Sequence, residues 1–139
     1  MIFGALNLRN GHLVLVCRKP QRAADFCAFL TELRRRCRDR PLALLLDEDS
    51  SHTAHVAWRL ATTLNLALLW LPLRSSELNP VEHLWRAAKQ NVRANRQNLT
   101  IEHAVTRFLR YLLCLTPRTT LRKAGVLAPC FGLRNVVSK

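Results

Sequence analysis

The chain has 139 residues, of which 49% are hydrophobic, so it is long enough to form one domain with a hydrophobic core. Its 22 lysine and arginine residues outnumber 9 acidic residues and give a formal net charge of +13, which indicates a polyanionic partner such as nucleic acid. The 5 cysteines form no Cys-x-x-Cys pair, no apolar run approaches the ~20 residues of a membrane span, and the N-terminus lacks a secretory signal pattern. This argues against a disulfide framework, a zinc knuckle and a membrane protein, and we expect a soluble cytoplasmic protein.

Turn signals and hydrophobic periodicity divide the chain into strands and helices. In chain order we predict strands at 2–8 and 12–17, a helix from Pro20 to Pro41, a strand at 42–46, a helix at 53–64, a strand at 66–72, a helix from Pro80, a helix from about 99 to 115, and a basic tail at 116–139 without one assigned structure. An initial hairpin followed by alternating helices and buried strands predicts an α/β fold with a mixed sheet.

Three acids follow the most apolar stretch of the chain, in LLLDEDSSH at 44–52. Asp47 comes directly after the predicted strand, and functional groups of open α/β sheets gather at the carboxyl ends of strands. A carboxylate there is suited to Mg²⁺, which prefers oxygen ligands. Glu48 and Asp49 follow on opposite faces of an extended segment. The alternative is that these acids only solubilise a loop.

A second candidate acid, Glu82, lies in SSELNPVEHLW at 75–85. It falls in the first turn of the helix that Pro80 begins, where the helix dipole stabilises a carboxylate. By itself Glu82 would be an ordinary helix acid. Together with LLLDEDSSH, however, LPLRSSELNPVEHLWRAAK resembles the DDE-type transposases of bacterial insertion sequences, in the superfamily that includes mariner-like elements. The resemblance extends from about residue 2 to at least 115, which we take as a partial catalytic domain at 1–115.

The resemblance implies an RNase H-like fold that cuts and joins DNA strands with Mg²⁺ or Mn²⁺. It implies that Asp47 and Glu82 are catalytic residues and hold divalent metals. One metal helps to form the nucleophile from water or a 3′-hydroxyl, and the other stabilises the leaving oxygen.

The resemblance also implies roles for neighbouring residues. Asn79 and Pro80 would shape the loop that presents Glu82, and Trp85 would pack the helix on the sheet. His52 would lie near the metals or contact DNA, and Lys89 would reach a phosphate.

The main departure from the family concerns its first catalytic Asp, which lies on a first strand that should precede IFGALNL. Here the first acid along the chain is Asp25, inside a predicted helix. We therefore expect an N-terminally truncated catalytic domain that lacks its central first strand and is inactive alone. One alternative is a non-catalytic DNA-binding remnant. Another is half of a split enzyme, completed by an upstream transposase fragment. Exposed strand edges would also favour pairing with another chain, such as a second copy in a homodimer.

The densest basic run is RRRCRDR at 34–40, at the end of a predicted helix. Solvation alone explains many such runs. With this net charge we assign it to DNA phosphate contacts, through Arg34, Arg35 and Arg38.

Two further patterns have less specific interpretations. His52 and His55 form an H-x-x-H pair, but no other ligands accompany them, which argues against zinc. Trp58, Trp70 and Trp85 lie in apolar segments, and we interpret them as core residues rather than base-stacking platforms.

Overall fold

The structure is a computed structural model that describes residues 2–18, 23–38, 40–47, 55–72, 75–94, 100–129 and 131. Within these ranges the elements follow the predicted order and add one short helix. They are β1 (Ile2–Leu6), β2 (Leu13–Cys17), α1 (Ala23–Arg36), β3 (Leu42–Leu46), α2 (His55–Thr63), β4 (Leu66–Trp70), a 3-10 turn (Ser76–Leu78), α3 (Pro80–Ala94), α4 (Ile101–Leu113) and α5 (Pro117–Lys123). No helix in the described ranges is long and apolar enough to cross a membrane.

The described strands pair in two separate sheets, one antiparallel and one parallel. β1 and β2 form one two-stranded sheet across the turn at 7–12, and a connection this short requires an antiparallel pair. β3 and β4 form a second two-stranded sheet and run parallel, in register from Leu42 opposite Leu66 to Leu46 opposite Trp70. Helix α2 makes the crossover that a parallel pair requires.

The chain forms two compact units, and the first contains residues 1–4 and 14–79. Its core joins β1 to α1 through aromatic rings, since the Phe3 ring lies 5.6 Å from the Phe29 ring and 6.3 Å from the Phe26 ring, centroid to centroid. Helix α1 also packs against α2, whose fully buried residues are Ala57 and Ala61. Small side chains at these positions let the two helices approach closely.

The second unit contains residues 5–13 and 80–139, and it is built on α3. Helices α4 and α5 both pack against α3. Trp85 contacts Phe108 of α4, with ring centroids 5.4 Å apart. The observed aromatic partner of Trp85 therefore lies on a helix, whereas the resemblance implies packing on the sheet.

Helix α5 lies in the segment for which the sequence predicts a basic tail. Thr116 caps it by accepting a hydrogen bond from the Thr119 N–H at 3.3 Å, and Thr120 and Leu121 are buried. The division into a domain at 1–115 and a basic tail at 116–139 remains a prediction.

Candidate functional site

Asp47 lies at the carboxyl end of the parallel β3–β4 pair. It follows β3 directly, and the preceding residue, Leu46, accepts a hydrogen bond from the Leu71 N–H at 2.8 Å. The side chain is half-buried. Since β3 and β4 run parallel, their carboxyl ends share one edge, where α/β folds place their functional groups.

Glu82 lies in the first turn of α3, as the sequence predicts. The preceding segment turns tightly, with the Ser75 N–H donating to the Pro72 carbonyl at 3.2 Å and the Leu78 N–H donating to the Ser75 carbonyl at 3.0 Å. Pro80 then begins the helix and is buried. Glu82 itself is half-buried and lies in the first turn, close to the N-terminal end of the helix.

The two acids belong to different units, Asp47 to the first and Glu82 to the second. Within the described ranges, no group of three or more His, Cys, Asp or Glu side chains is placed to hold a metal ion. Glu48, Asp49 and His52 lie outside the described residues. The assignment of Asp47 and Glu82 as metal ligands therefore stays a prediction.

Glu82 is followed along one face of α3 by three exposed cations. Arg86, Lys89 and Arg93 come 4, 7 and 11 residues after Glu82, and at about 100° per residue this spacing keeps all of them in line with it. We call these three residues the α3 stripe. Lys89 was predicted as a DNA contact, whereas Arg86 and Arg93 were missed, although helical periodicity alone would have found them.

The basic run at the end of α1 is partly engaged within the protein. Arg35 donates two hydrogen bonds to the Glu32 carboxylate, at 2.8 and 2.9 Å, and Arg36 donates one at 2.6 Å. The Arg34 Nη1 donates to the Arg40 carbonyl at 2.8 Å, while Arg38 is exposed. The predicted DNA contact through Arg35 would therefore compete with an existing ion pair.

The same contacts shift the pKa values of both partners. Hydrogen bonds from Arg35 and then Arg36 lower the pKa of Glu32 to about 2, and the bond to Glu32 raises the pKa of Arg35. Because the carboxylate is ionised well below neutral pH, it neutralises part of the run under all physiological conditions.

The interpretation of Trp58 as a core residue is wrong. Its side chain is 53% exposed, whereas Trp70 and Trp85 are half-buried. The Trp58 ring stacks on the Trp70 ring, with centroids 6.4 Å apart and an interplanar angle of 10°. Apolar composition could not reveal this exposure, because it does not show which face of α2 packs inward.

Known proteins resemble this chain in sequence and in fold. A family model described as DDE superfamily endonuclease matches residues 1–103. An uncharacterized protein of Sinorhizobium fredii, y4pE/y4sA, is 37% identical over 98 residues, which cover 68% of this chain and 69% of that protein.

Two solved structures of the Mos1 mariner transposase catalytic domain share the fold at 18% sequence identity. One gives a TM-score of 0.71 and covers 91% of this chain and 67% of that chain. The other, solved with raltegravir and Mg, gives a TM-score of 0.72 and covers 99% of this chain and 73% of that chain. The fold is therefore RNase H-like, and the chain belongs to the DDE superfamily endonucleases.

Proposed function

We propose that this chain forms part of a transposase catalytic domain for metal-dependent DNA strand cleavage and transfer, with Asp47 and Glu82 as metal ligands. The observation that carries the proposal is the position of Asp47, directly after the strand β3 at the carboxyl edge of the β3–β4 pair. The family match and the position of Glu82 in the first turn of α3 support it.

The donor chemistry at these two positions fits Mg²⁺ or Mn²⁺. Both side chains offer carboxylate oxygens, the ligand type that these hard cations prefer. A bound metal would supply Lewis acidity, which favours a deprotonated nucleophile and a negatively charged leaving oxygen. The residues of this chain would hold the cation and fix its position next to a DNA phosphate. The Mos1 catalytic domain solved with Mg supports the choice of metal.

We further propose that these 139 residues alone are catalytically deficient. Two-metal chemistry needs a ligand that bridges both ions, and the first acid along the sequence is Asp25, in the first turn of α1. A second candidate function is one half of a split enzyme, in which another chain would supply a further Asp to the metal site. The two-stranded sheets favour it, because each described strand has only one hydrogen-bonded neighbour.

Metal binding and nicking test the two acids together. We expect weak Mn²⁺ binding by the purified chain, and its loss in an Asp47→Asn, Glu82→Gln double variant, because each substitution removes a charged oxygen ligand. We also expect that neither protein nicks plasmid DNA in Mg²⁺ or Mn²⁺. Calorimetry and gel analysis of supercoiled plasmid are the measurements.

The outcomes separate the parts of the proposal. Equal Mn²⁺ binding by both proteins would remove Asp47 and Glu82 as ligands. Metal-dependent nicking by the unmodified chain but not by the double variant would support Asp47 and Glu82 as metal ligands. It would contradict the proposed catalytic deficiency. Nicking by a mixture of the chain with an upstream fragment, but by neither alone, would establish the split enzyme.

DNA is the proposed partner, and its phosphates are the groups that the basic surface would contact. The α3 stripe is the best candidate because it is exposed and in line with Glu82. Arg34 and Arg38 at the end of α1 are further candidates, and His52 remains one from the family resemblance. Phosphate contacts release counterions, so binding should weaken steeply as salt rises.

Removing the Glu32 carboxylate should strengthen DNA binding. In Glu32→Gln the guanidinium groups of Arg35 and Arg36 lose their ion-pair partner and become available to phosphates. We expect tighter binding, with the slope of log K against log salt steeper by about 1 to 2, since each new phosphate contact adds about 0.9. Fluorescence anisotropy at several salt concentrations measures both quantities.

Glu77→Gln is the matched control, because it removes the same charge from an exposed side chain in the 3-10 turn. It should change the slope less than Glu32→Gln. If both variants behave alike, the effect comes from net charge and the α1 run makes no specific contact.

A further inference from the structure

The stacked pair Trp58 and Trp70 lies at the same edge of the sheet as Asp47. Trp70 is the last residue of β4 and the register partner of Leu46, the residue before Asp47. Neighbouring strands lie about 4.8 Å apart, so the backbone of Trp70 is close to the end of β3. Helix α2 returns from this edge to the start of β4, which places its N-terminal half, with Trp58, at the carboxyl ends of both strands.

The exposure of Trp58 in this pair is unusual for a tryptophan. More than half of the Trp58 side chain is exposed, although tryptophan is normally among the more buried residues. The Trp70 ring is nearly parallel to the Trp58 ring and stacks on it, which helps to fix its orientation. A flat aromatic group that is held in place and open to solvent is suited to stack against another planar group.

A guanidinium group and an imidazole accompany this aromatic surface. Arg59 and His55 are exposed on α2, and both lie within about 100° of Trp58 around the helix axis. Helix α2 contains no acidic residue, and the whole chain carries a net charge of +13. Aromatic rings combined with positive charge are typical of surfaces that bind single-stranded nucleic acid, where bases stack and phosphates pair with cations.

We propose that Trp58, supported by Trp70, is a stacking platform for an unpaired nucleobase of single-stranded DNA beside Asp47. This inference rests on the proposed function, because it presumes that DNA reaches the Asp47 edge of the sheet. Bases inside an intact duplex are already stacked on their neighbours and present no free face. The platform therefore favours frayed or extruded nucleotides, and it would hold a strand end next to the carboxylate that binds the metal.

The test compares DNA binding by the chain with that of Trp58→Ala and Trp58→Phe. The probes are a labelled oligothymidylate and a duplex of the same length, measured by anisotropy over a range of salt concentrations. We expect Trp58→Ala to weaken oligothymidylate binding roughly 10-fold or more, as loss of one base-aromatic stack does elsewhere. Trp58→Phe should retain most of the affinity, and the duplex should lose less than about 2-fold, since no stack with Trp58 forms there. Oligothymidylate should also quench tryptophan fluorescence in the unmodified chain.

Val56→Ala is the control, because Val56 is 64% exposed on α2 and lies about 200° around the helix from Trp58. It should leave binding to both probes unchanged. Trp58→Ala should keep the salt slope, because the lost contact is uncharged, whereas Arg59→Ala should lower it by about 0.7 for a single strand. Thermal unfolding of each variant controls for a change in fold.

Each other outcome contradicts the platform. If Trp58→Ala weakens binding to both probes equally, this inference is overturned but the proposed function is not. The same holds if Trp58→Ala leaves binding to both oligothymidylate and duplex unchanged. A concentration-dependent dimer that Trp58→Ala abolishes, with unchanged oligothymidylate binding, would assign the surface to a second copy of the chain instead. No binding to either probe would overturn both this inference and the proposed DNA interaction.

Discussion

Leu84→Ala is expected to lower the free energy of unfolding by about 2–5 kcal/mol, the usual range for truncating a buried leucine. Leu84 is 0% exposed and lies on the face of α3 that also carries the buried residues Pro80 and Ala88. This face packs inward while Glu82 and the α3 stripe lie on the other side. The substitution removes three heavy atoms from a close-packed interior and leaves a cavity that the helices fill only in part.

Leu113→Ala is the matched control for this prediction. It makes the same chemical change in the same unit, but Leu113 is 68% exposed at the end of α4. Its effect should stay within about 0.5 kcal/mol, as for most surface substitutions. Urea unfolding followed by circular dichroism gives both values. Similar values for the two variants would show that the burial of Leu84 contributes little to stability.

The stability of α3 also bears on the candidate site. Glu82 lies two residues before Leu84, in a first turn whose orientation depends on the packing of the helix behind it. A loosened helix would place the carboxylate less precisely, and small misplacements of a metal ligand weaken binding. Leu84→Ala should therefore weaken Mn²⁺ binding in the folded protein, while Leu113→Ala should not.

The surroundings of Asp47 could be predicted from the sequence because the local signals there agree. The apolar run Leu42–Leu46 is too short for a helix in a core of this kind, and Pro41 and the acids after it set its limits. The position of Glu82 could be predicted equally well, since Pro80 marks the first position of a helix. Both positions depend on neighbouring residues alone.

The exposure of Trp58 could not be predicted, because it depends on which face of α2 packs inward. Composition favours burying the large residues Val56 and Trp58. The structure instead buries Ala57 and Ala61, whose small side chains allow α2 to approach α1 closely. Which face of α2 packs inward is therefore a property of the whole packing arrangement.

Helix α5 was missed for a different reason. Proline and glycine also occur in segments without regular structure, but Pro117 at the first helical position and Gly125 just after the end are helix limits. Thr116 before the proline is a favoured cap. The local signals for this short helix were therefore present in the sequence.

Gly11→Ala is expected to cost about 2–5 kcal/mol of stability, from two separate causes. Gly11 has φ of +74°, which L-residues adopt at a cost of about 1–2 kcal/mol. In addition, an added Cβ would collide with the backbone carbonyl of Pro117, the first residue of α5, and such overpacking costs about 1–3 kcal/mol more. The turn at 7–12 cannot easily yield, because Asn7 and Asn10 hold it through side-chain bonds to its own backbone N–H groups.

Gly125→Ala separates these two causes. Gly125 has nearly the same φ, +77°, but no atom of the described residues lies within 4 Å of an added Cβ. It should therefore cost only the backbone term, about 1–2 kcal/mol. The difference between the two variants in urea unfolding measures the contact between the hairpin turn and the start of α5. Equal costs would mean that this contact adds nothing to stability. A larger cost for Gly11→Ala would show that α5 and the hairpin unfold as one cooperative unit, and that the segment at 116–129 contributes to the fold that supports Glu82.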